Sequence, residues 1–327
     1  MHPSPGPAPR SFLSRQIRSY APGILTVAIL VVAYSTGSWA GSRYKIIYRF
    51  PPSDKSGINP TDLISDSAGN LYGTTGSGGE NGFGGVYELT PPANKGDRWT
   101  NKLLYSFRNG WAFFATADGR SLVLDSAGNL YGVTSFGGHG CGDVGCGTVF
   151  ELTRPNQPGG KWKETTIYTF SRWDGYQPEA ITLDSAGNVY GVTWGGGRYC
   201  EGEGCGTVFE LTPSARGEQW NRRGLYFFKG VFGNGNGDGA NPIALTFDSQ
   251  RNLYGTTAGG GCGQNACSGT IFRISPSSKN KKGYPWHETM LYRLSGDSND
   301  KVYSGVVLDQ SGRSTAQPKI RCINWRA

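Results

Sequence analysis

One run of eight residues, DSAGNLYG at 66–73, recurs along the chain. It returns unchanged at 125–132, as DSAGNVYG at 184–191 and as DSQRNLYG at 248–255. Asp309 stands where a fifth copy would open. The copies are about sixty residues apart, and a period of that length must contain a whole supersecondary unit rather than a single hairpin.

Each repeat contains four candidate strands. The first ends at the opening Asp, the second is NLYGTT-like, the third is GTVFELT-like, and the fourth is KLLYSF-like. A lone four-stranded sheet cannot cover both of its faces, so such units pack against their neighbours. The pattern therefore predicts an all-β fold, a β-propeller of four-stranded antiparallel blades over residues 41–311. It has four complete repeats and a partial fifth, which is consistent with truncation. The 52 Gly and 17% charged residues agree with many short strands and tight turns.

The turn after the first strand has its own chemistry. The carboxylate that opens each copy is expected to accept backbone N–H bonds within the next few residues, while a left-handed residue reverses the chain. Gly128 and Gly187 suit that left-handed position. Arg251 replaces the glycine in the fourth copy, where Asn252 is expected to be left-handed instead. The turn residues are Asp66, Asp125, Asp184 and Asp248.

The repeat unit resembles a known family. Units of the form D-x-x-G-N-L-Y-G-T-T, then G-G, G-T-V-F-E-L-T-P and L-Y-S-F are similar to the GloVer tandem repeats of exported bacterial proteins, over about residues 44–311. The resemblance implies a secreted or surface-attached repeat protein, often with a C-terminal sorting region, a pattern that the end of this chain lacks. The family supplies no catalytic residues.

The first forty residues form a separate segment. Three Arg and no acid precede an apolar run at 21–34, and small residues surround Ala40. This pattern predicts a secretory signal peptide at 1–40. An uncleaved anchor is the alternative, although a membrane span needs about twenty apolar residues. We expect no span after cleavage and a secreted, periplasmic or cell-surface location in a bacterium.

Six cysteines lie in the Gly-rich tips between second and third strands. An oxidising compartment and the proximity of hairpin flanks predict local disulfides. Zinc is the alternative, but equivalent tips of neighbouring blades diverge, whereas a zinc site needs two pairs to converge. The predicted pairs are Cys141–Cys146, Cys200–Cys205 and Cys262–Cys267.

The two ends of the repeat region are incomplete. Residues 44–50, YKIIYRF, match a fourth strand, and residues 302–309, VYSGVVLD, match a first strand. Residues 312–327 are expected to be an irregular tail. A one-base deletion near codon 313 would explain it, because one set of codons for RSTAQP reads LYGTT in a shifted frame. Cys322 then has no evolved partner.

No motif of nucleophilic or metal-dependent catalysis accompanies His2, His139 or His287. The segments DGYQP at 174–178 and DGANP at 238–242 offer oxygen ligands to calcium, but a calcium site usually needs several carboxylates, so turns are the favoured interpretation. No other cofactor is expected. Lys and Arg are scattered apart from KNKK, which argues against a nucleic-acid partner.

Aromatic residues are the clearest functional signal. A repeated Trp precedes each fourth strand and is interpreted as packing between blades: Trp99, Trp162, Trp220 and Trp286. Non-repeated rings in the tips and inter-blade loops are candidate ligand contacts, although loop packing explains them as well. They are Trp111, Phe136, Trp173, Tyr176, Trp194 and Tyr199.

Three functions remain open. The chain is a non-catalytic binding or scaffolding module for polysaccharide or a surface protein, expected to be monomeric. Alternatively, it is an enzyme acting on glycans or lactones at a central channel, or a structural spacer of a surface layer. The first strands SLVLD, AITLD and IALTFD offer mainly apolar residues, which favours a non-catalytic role.

Overall fold

The computed structural model describes residues 45–51, 55, 57–108, 121–200, 204–214, 219–230, 237–260, 269–277, 286–294, 305–308 and 320–322. The chain divides into two units, Met1–Ile47 and Tyr48–Ala327. The predicted signal segment 1–40 lies outside the described residues, and residues 45–47 of the first unit have no regular secondary structure. The described residues contain no helix.

All the strands lie in the second unit. They are β1 (Ile58–Pro60), β2 (Ile64–Ser65), β3 (Leu71–Ser77), β4 (Gly85–Thr90), β5 (Thr100–Ser106), β6 (Leu122–Leu124), β7 (Leu130–Thr134), β8 (Thr148–Thr153), β9 (Lys163–Thr169), β10 (Tyr176–Leu183), β11 (Val189–Gly195), β12 (Thr207–Thr212), β13 (Asn221–Phe227), β14 (Ala240–Phe247), β15 (Leu253–Gly259), β16 (Thr270–Pro276), β17 (Trp286–Arg293), β18 (Val306–Leu308) and β19 (Ile320–Cys322).

These strands form the predicted blades. Blade 1 is β1–β5, in which β1 and β2 together act as an interrupted first strand and both pair with β3. Blade 2 is β6–β9, blade 3 is β10–β13 and blade 4 is β14–β17, each an antiparallel sheet in sequence order. The partial fifth repeat contributes β18, which pairs with β19. The predicted all-β architecture of four-stranded antiparallel blades is confirmed.

Neighbouring blades are joined by aromatic contacts. First strands of successive blades lie against one another, as do β13 and β17. In blades 1 to 3, the Phe that directly follows the fourth strand packs edge-on against a Phe in the third strand of the next blade, with ring centroids 5.1–5.3 Å apart. These pairs are Phe107–Phe150, Phe170–Phe209 and Phe228–Phe272. Most of the apolar core therefore lies between blades.

The repeated Trp belongs to the same junctions. Trp220 of blade 3 lies 6.1 Å from Tyr131 of blade 2, and Trp286 of blade 4 lies 6.3 Å from Tyr190 of blade 3, between ring centroids. Trp162 packs against the cluster between blades 1 and 2. The interpretation of this Trp as a packing element is confirmed for these three.

The glycine of the LYG motif has a steric role. A side chain on Gly132 would overlap the Phe150 ring, which lies directly over it from the adjacent strand. Gly191 and Gly255 stand in the same relation to Phe209 and Phe272. The aromatic junction between blades therefore requires a glycine beneath each ring.

The turn between first and second strands closes as the sequence indicates. Asp125 Oδ1 accepts the N–H groups of Ala127 at 2.9 Å and Asn129 at 2.8 Å, and the Asn129 side chain donates to Asp125 Oδ2 at 3.0 Å. The other three copies repeat these bonds, opened by Asp66, Asp184 and Asp248.

The prediction for the fourth turn is wrong in one respect. Arg251 itself is left-handed, with φ of 66°, and Asn252 is not among the residues with positive φ. Asn252 instead makes the same bonds to Asp248 as the Asn of the other copies. The turn geometry requires the left-handed conformation at position 251 whichever residue stands there. The Arg251 side chain also donates to Asp184 Oδ2 of blade 3 at 3.0 Å, a contact that offsets part of the strain.

The ends differ from expectation in two ways. Residues 45–50 form no strand, yet Phe50 packs on Tyr87 at 4.8 Å, the contact that a fourth-strand Phe makes elsewhere. Within the tail expected to be irregular, Ile320–Cys322 pairs with Val306–Leu308. Among the described residues, β18 has no second strand of its own repeat, and the extended segment β19 pairs with its backbone groups. Asp309 lies outside the described residues.

Candidate binding face

The tips between second and third strands and the connections from each fourth strand to the next blade share one side of the molecule, here called the loop face. The N–H of Gln177, at the start of blade 3, donates to the carbonyl of Cys146 in the blade 2 tip at 2.9 Å. Asn241, at the start of blade 4, donates likewise to Cys205 in the blade 3 tip at 2.8 Å. The loop face is thus continuous across blades 2 to 4.

Two of the predicted disulfides are present in the tips. Cys141 and Cys146 have Cα atoms 5.0 Å apart, and Cys200 and Cys205 have Cα atoms 5.7 Å apart. Cys146 and Cys205 are buried. Each bridge therefore ties an exposed tip to the blade beneath it. Cys262 and Cys267 lie outside the described residues.

The inter-blade connections are held by aspartates. Asp174 Oδ1 accepts the backbone N–H of Ser171 at 2.7 Å and its hydroxyl at 3.0 Å, and Oδ2 accepts the Tyr168 hydroxyl. Asp238 accepts the N–H of Lys229 at 2.8 Å and the Tyr226 hydroxyl. Burial, followed by these bonds to carboxylates, raises the pKa of both tyrosines.

These two aspartates are the ones considered as calcium ligands. Their oxygens accept hydrogen bonds from their own connection and from the fourth strand before it, so they hold the connection in place. Across the described ranges, no group of three or more His, Cys, Asp or Glu is placed to hold a metal ion.

The structure places the candidate contact residues as follows. Trp173 is 84% exposed and Tyr199 is 44% exposed, and both project from the loop face. Phe136, in the blade 2 tip, and Trp194, near the end of β11 beside the blade 3 tip, are half-buried. Tyr176 lies over Gly195 and packs against the core between blades 2 and 3, so it supports the face. Trp111 lies outside the described residues.

Several residues of this face carry no signal in the sequence. Val144, at the blade 2 tip, is 46% exposed, and Arg198 lies over the Phe227 ring at 5.5 Å. Gln177 and Asn241 have positive φ, and the Asn241 side chain donates to the carbonyl of Trp194 at 3.0 Å. The sequence alone gives no indication that Gln177 and Asn241 adopt a positive φ.

A buried carboxyl was also missed at the junction of blades 1 and 2. Asp62 accepts the Ser121 hydroxyl at 3.0 Å and the Leu122 N–H at 2.6 Å, and burial raises its pKa despite these bonds. Asp62 stands just before β2, in the first-strand region of blade 1. The sequence predicts mainly apolar first strands, so it does not single out this carboxyl group. Asp62 joins two blades because its Oδ2 accepts both donors of blade 2, while its Oδ1 accepts the Leu63 N–H at 2.9 Å.

The opposite side of the molecule carries the Asp turns. The Tyr72 hydroxyl lies 3.2 Å from Asp66 Oδ2 and 3.1 Å from Glu88 Oε1, and Tyr190 donates to Glu210 at 2.6 Å. Burial and these carboxylates raise the pKa of both tyrosines. The tyrosine of the repeat therefore ties the turn to the third strand.

The repeat itself identifies the family. A family model described as the Gloeobacter/Verrucomicrobia repeat matches residues 32–203 and 118–313. The chain belongs to the Gloeobacter/Verrucomicrobia repeat family. Each match to this repeat spans more than one sixty-residue unit, in agreement with the blades described above.

Solved structures show only remote similarity to this family member. The extracellular domain of a putative hybrid two-component system from B. thetaiotaomicron is 14% identical, with a TM-score of 0.42 over 84% of this chain and 28% of that one. PorZ, a surface component of the type-IX secretion system of Porphyromonas gingivalis, is 14% identical, with a TM-score of 0.44 over 82% and 32%. A GH43 endo-arabinanase from Bacillus licheniformis is 12% identical, with a TM-score of 0.39 over 86% and 98%.

The chain therefore spans 28% of the first of these structures and 32% of the second. No curated protein matches it. Within the described ranges, no helix has the length and apolar character needed to cross a membrane.

Proposed function

We propose that this protein is an exported, non-catalytic repeat protein that binds a polysaccharide or a surface protein through its loop face. The predicted signal peptide at 1–40 and the disulfides of the tips support export, because disulfides persist in oxidising compartments. Membership of a repeat family without catalytic residues of its own supports a binding or scaffolding role.

The observation that carries the proposal is the exposure of Trp173. Its ring is 84% exposed, although the connection that bears it is fixed by the bonds of Asp174. A large apolar ring in water on a rigid loop is unfavourable for the isolated chain, and such rings are the groups with which proteins recognise sugar or protein surfaces. Tyr199 offers a second ring on the same face.

The aspartates of the inter-blade connections and of the blade 1–2 junction support binding over catalysis. Asp174 and Asp238 lock loops, and Asp62 joins two blades, so each has its oxygens occupied by donors of the fold. A general acid or base needs a carboxyl within hydrogen-bond reach of a substrate.

A ligand screen with matched variants tests the proposal. The mature protein is screened on arrays of polysaccharides and envelope proteins, and each ligand found is titrated against Trp173→Ala. We expect at least a tenfold loss of affinity, about 1.4 kcal/mol, because exposed Trp residues at binding surfaces dominate their energetics.

Trp99→Ala is the matched control, since Trp99 lies at the opposite end of its blade, before the fourth strand. It should bind as the wild type does, provided that both variants keep the wild-type melting temperature. Equal affinity of Trp173→Ala and the wild type for every ligand would place binding elsewhere, and hydrolysis of an arrayed glycan would favour the enzyme alternative.

A further inference from the structure

In blades 2 to 4, one position near the start of the fourth strand lies at the junction with the preceding blade. It stands two residues after the repeated Trp, and its occupants in blades 1 to 4 are Asn101, Glu164, Arg222 and Glu288. The Tyr105 hydroxyl of blade 1 donates to Glu164 Oε2 of blade 2 at 3.4 Å. Arg222 of blade 3 donates to the carbonyl of Asp174, in the connection that follows blade 2. The side chain at this position therefore contacts the tyrosine of the preceding blade or the aspartate of the connection that follows that blade.

The charge at this position reverses between the last two junctions. Between blades 2 and 3, the Arg222 guanidinium faces Tyr168 and Asp174, so the cation and the carboxylate complement each other. Between blades 3 and 4, β17 lies against β13, and Glu288 on β17 is near enough to Tyr226 and Asp238 for their charges to interact. A carboxyl group thus stands where the neighbouring junction has a guanidinium.

Asp238 has its oxygens occupied by other donors. One oxygen accepts the Lys229 N–H at 2.8 Å and the other accepts the Tyr226 hydroxyl, while Asp238 itself is 7% exposed. Glu288 Oε1 is buried and has no hydrogen-bond partner among the described residues. A buried carboxylate without a donor is unfavourable, whereas its protonated form requires less solvation.

Ionisable groups on several neighbouring elements surround Glu288. Tyr226 in the fourth strand of blade 3 lies near Glu288, as do Lys229 and Asp238 in the connection that follows this strand. Tyr199 of the blade 3 tip lies near Tyr226. On β16, the residue paired with Glu288 is the apolar Ile274, and β17 itself carries His287 beside it. Among these groups, Lys229 is the cation that opposes protonation of Glu288.

We propose that Glu288 makes the junction between blades 3 and 4 dependent on pH, with the blades docked tightly when Glu288 is protonated and loosened when it is ionised. Ionisation places a second negative charge beside Asp238. The segment that Asp238 anchors leads directly into β14, and Asn241 in that strand holds the carbonyl groups of Cys205 and Trp194 on the loop face. Loosening this junction therefore also loosens the blade 3 tip.

The direction of the effect follows from the pKa values of the two states. Burial, and then the charge of Asp238, raise the pKa of Glu288 from 4.5 to about 7 in the folded protein. A carboxyl group with a raised pKa stabilises the fold fully below the unfolded value. That stability is lost as the pH rises from about 4.5 to about 7.

Urea unfolding of the mature, disulfide-bonded protein between pH 5 and 8 tests the proposal, with Glu288→Gln as the variant. Glutamine keeps the shape and cannot ionise. Relative to this variant, the unfolding equilibrium constant of the wild type should rise up to about tenfold per pH unit between pH 5 and 7, the limit for one proton. The carboxyl ¹³C signal of Glu288 should titrate near pH 7.

Two further variants distinguish this effect from general destabilisation. Glu288→Arg restores the charge pattern of the blade 2–3 junction, so at pH 8 it should be more stable than the wild type. Glu164→Gln changes the same position at the blade 1–2 junction and should keep the wild-type dependence on pH. The proposal fails if Glu288→Gln follows the wild type from pH 5 to 8, or if Glu288 titrates near 4.5.

Discussion

Individual residues of the repeated motif contact different parts of their surroundings. This explains why the whole eight-residue motif recurs in every blade. The Asp and Asn close the turn, the Tyr ties the turn to the third strand, and the Gly leaves room for an aromatic ring. The exception is the fourth copy, where Arg251 occupies the left-handed position and reaches Asp184 of the preceding blade.

Substitution of Arg251 should separate backbone strain from the ion pair. Arg251→Ala keeps a left-handed Cβ residue and loses the partner, whereas Arg251→Gly loses the partner and relieves the strain. We therefore expect Arg251→Ala to be less stable than Arg251→Gly by about 1 kcal/mol in urea unfolding.

Salt provides the control for that comparison. Arg251 is 64% exposed, so its contact with Asp184 should contribute at most about 1 kcal/mol. The difference between wild type and Arg251→Ala, which isolates the ion pair, should shrink in 1 M NaCl because mobile ions screen exposed charges. An unchanged difference would show that the guanidinium acts through packing.

Register shifts interrupt strand pairing at repeated positions, between the third and fourth strands of all four blades and in the first strands of blades 3 and 4. The first strands of blades 3 and 4 shift register between Pro178 and Ala180 and between Pro242 and Ala244. These irregularities follow Gln177 and Asn241, whose positive φ turns the chain onto the preceding tip. The tip, its disulfide and the next first strand therefore form one structural unit.

Removal of the blade 3 disulfide should show this coupling. Closing so short a loop stabilises by about 2 kcal/mol in the chain-entropy model, so Cys200→Ser/Cys205→Ser should lose about that amount. Amide exchange should accelerate in residues 204–206 and at Asn241, whose N–H is held by Cys205.

Cys141→Ser/Cys146→Ser is the matched control, because it removes the equivalent bridge of blade 2. Its exchange should accelerate at Gln177 instead of Asn241. Faster exchange at both positions in either variant would contradict a coupling confined to one junction.

At the scale of the whole molecule, stability resides largely at the blade junctions. Phe170 and Phe228 are each 1% exposed and contact the third-strand Phe of the following blade. Such a chain behaves as a row of units stabilised by nearest-neighbour interfaces.

Truncation of one junction ring should therefore affect two blades together. Phe170→Ala should lower the free energy of unfolding by about 3–5 kcal/mol, the usual range for a buried Phe. Amide exchange should increase in both blades 2 and 3. Leu63→Ala is the control, because Leu63 is 55% exposed in blade 1 and should change stability by less than about 0.5 kcal/mol. Confinement of the increase to blade 2 would contradict the shared interface.

The sequence by itself determined the family, the four strands of each blade, the Asp turns and the cysteine pairs of the two described tips, because each depends on contacts between residues close in the repeat. It also indicated the Trp of the blade junctions, since a ring at the same position in every repeat must meet the same surroundings.

Only the tertiary structure decided which groups meet across a junction. Asp62 with Ser121, Arg251 with Asp184, and Glu288 with Asp238 are pairs that lie fifty or more residues apart. Nothing in the local pattern of either partner records the other. The same holds for the ring that stays exposed: Trp173 and Trp194 are alike as sequence features, but one is fixed in water and the other half-buried. The burial of a side chain depends on where the neighbouring blade lies. A repeat pattern predicts this burial only at positions that have the same residue in every blade.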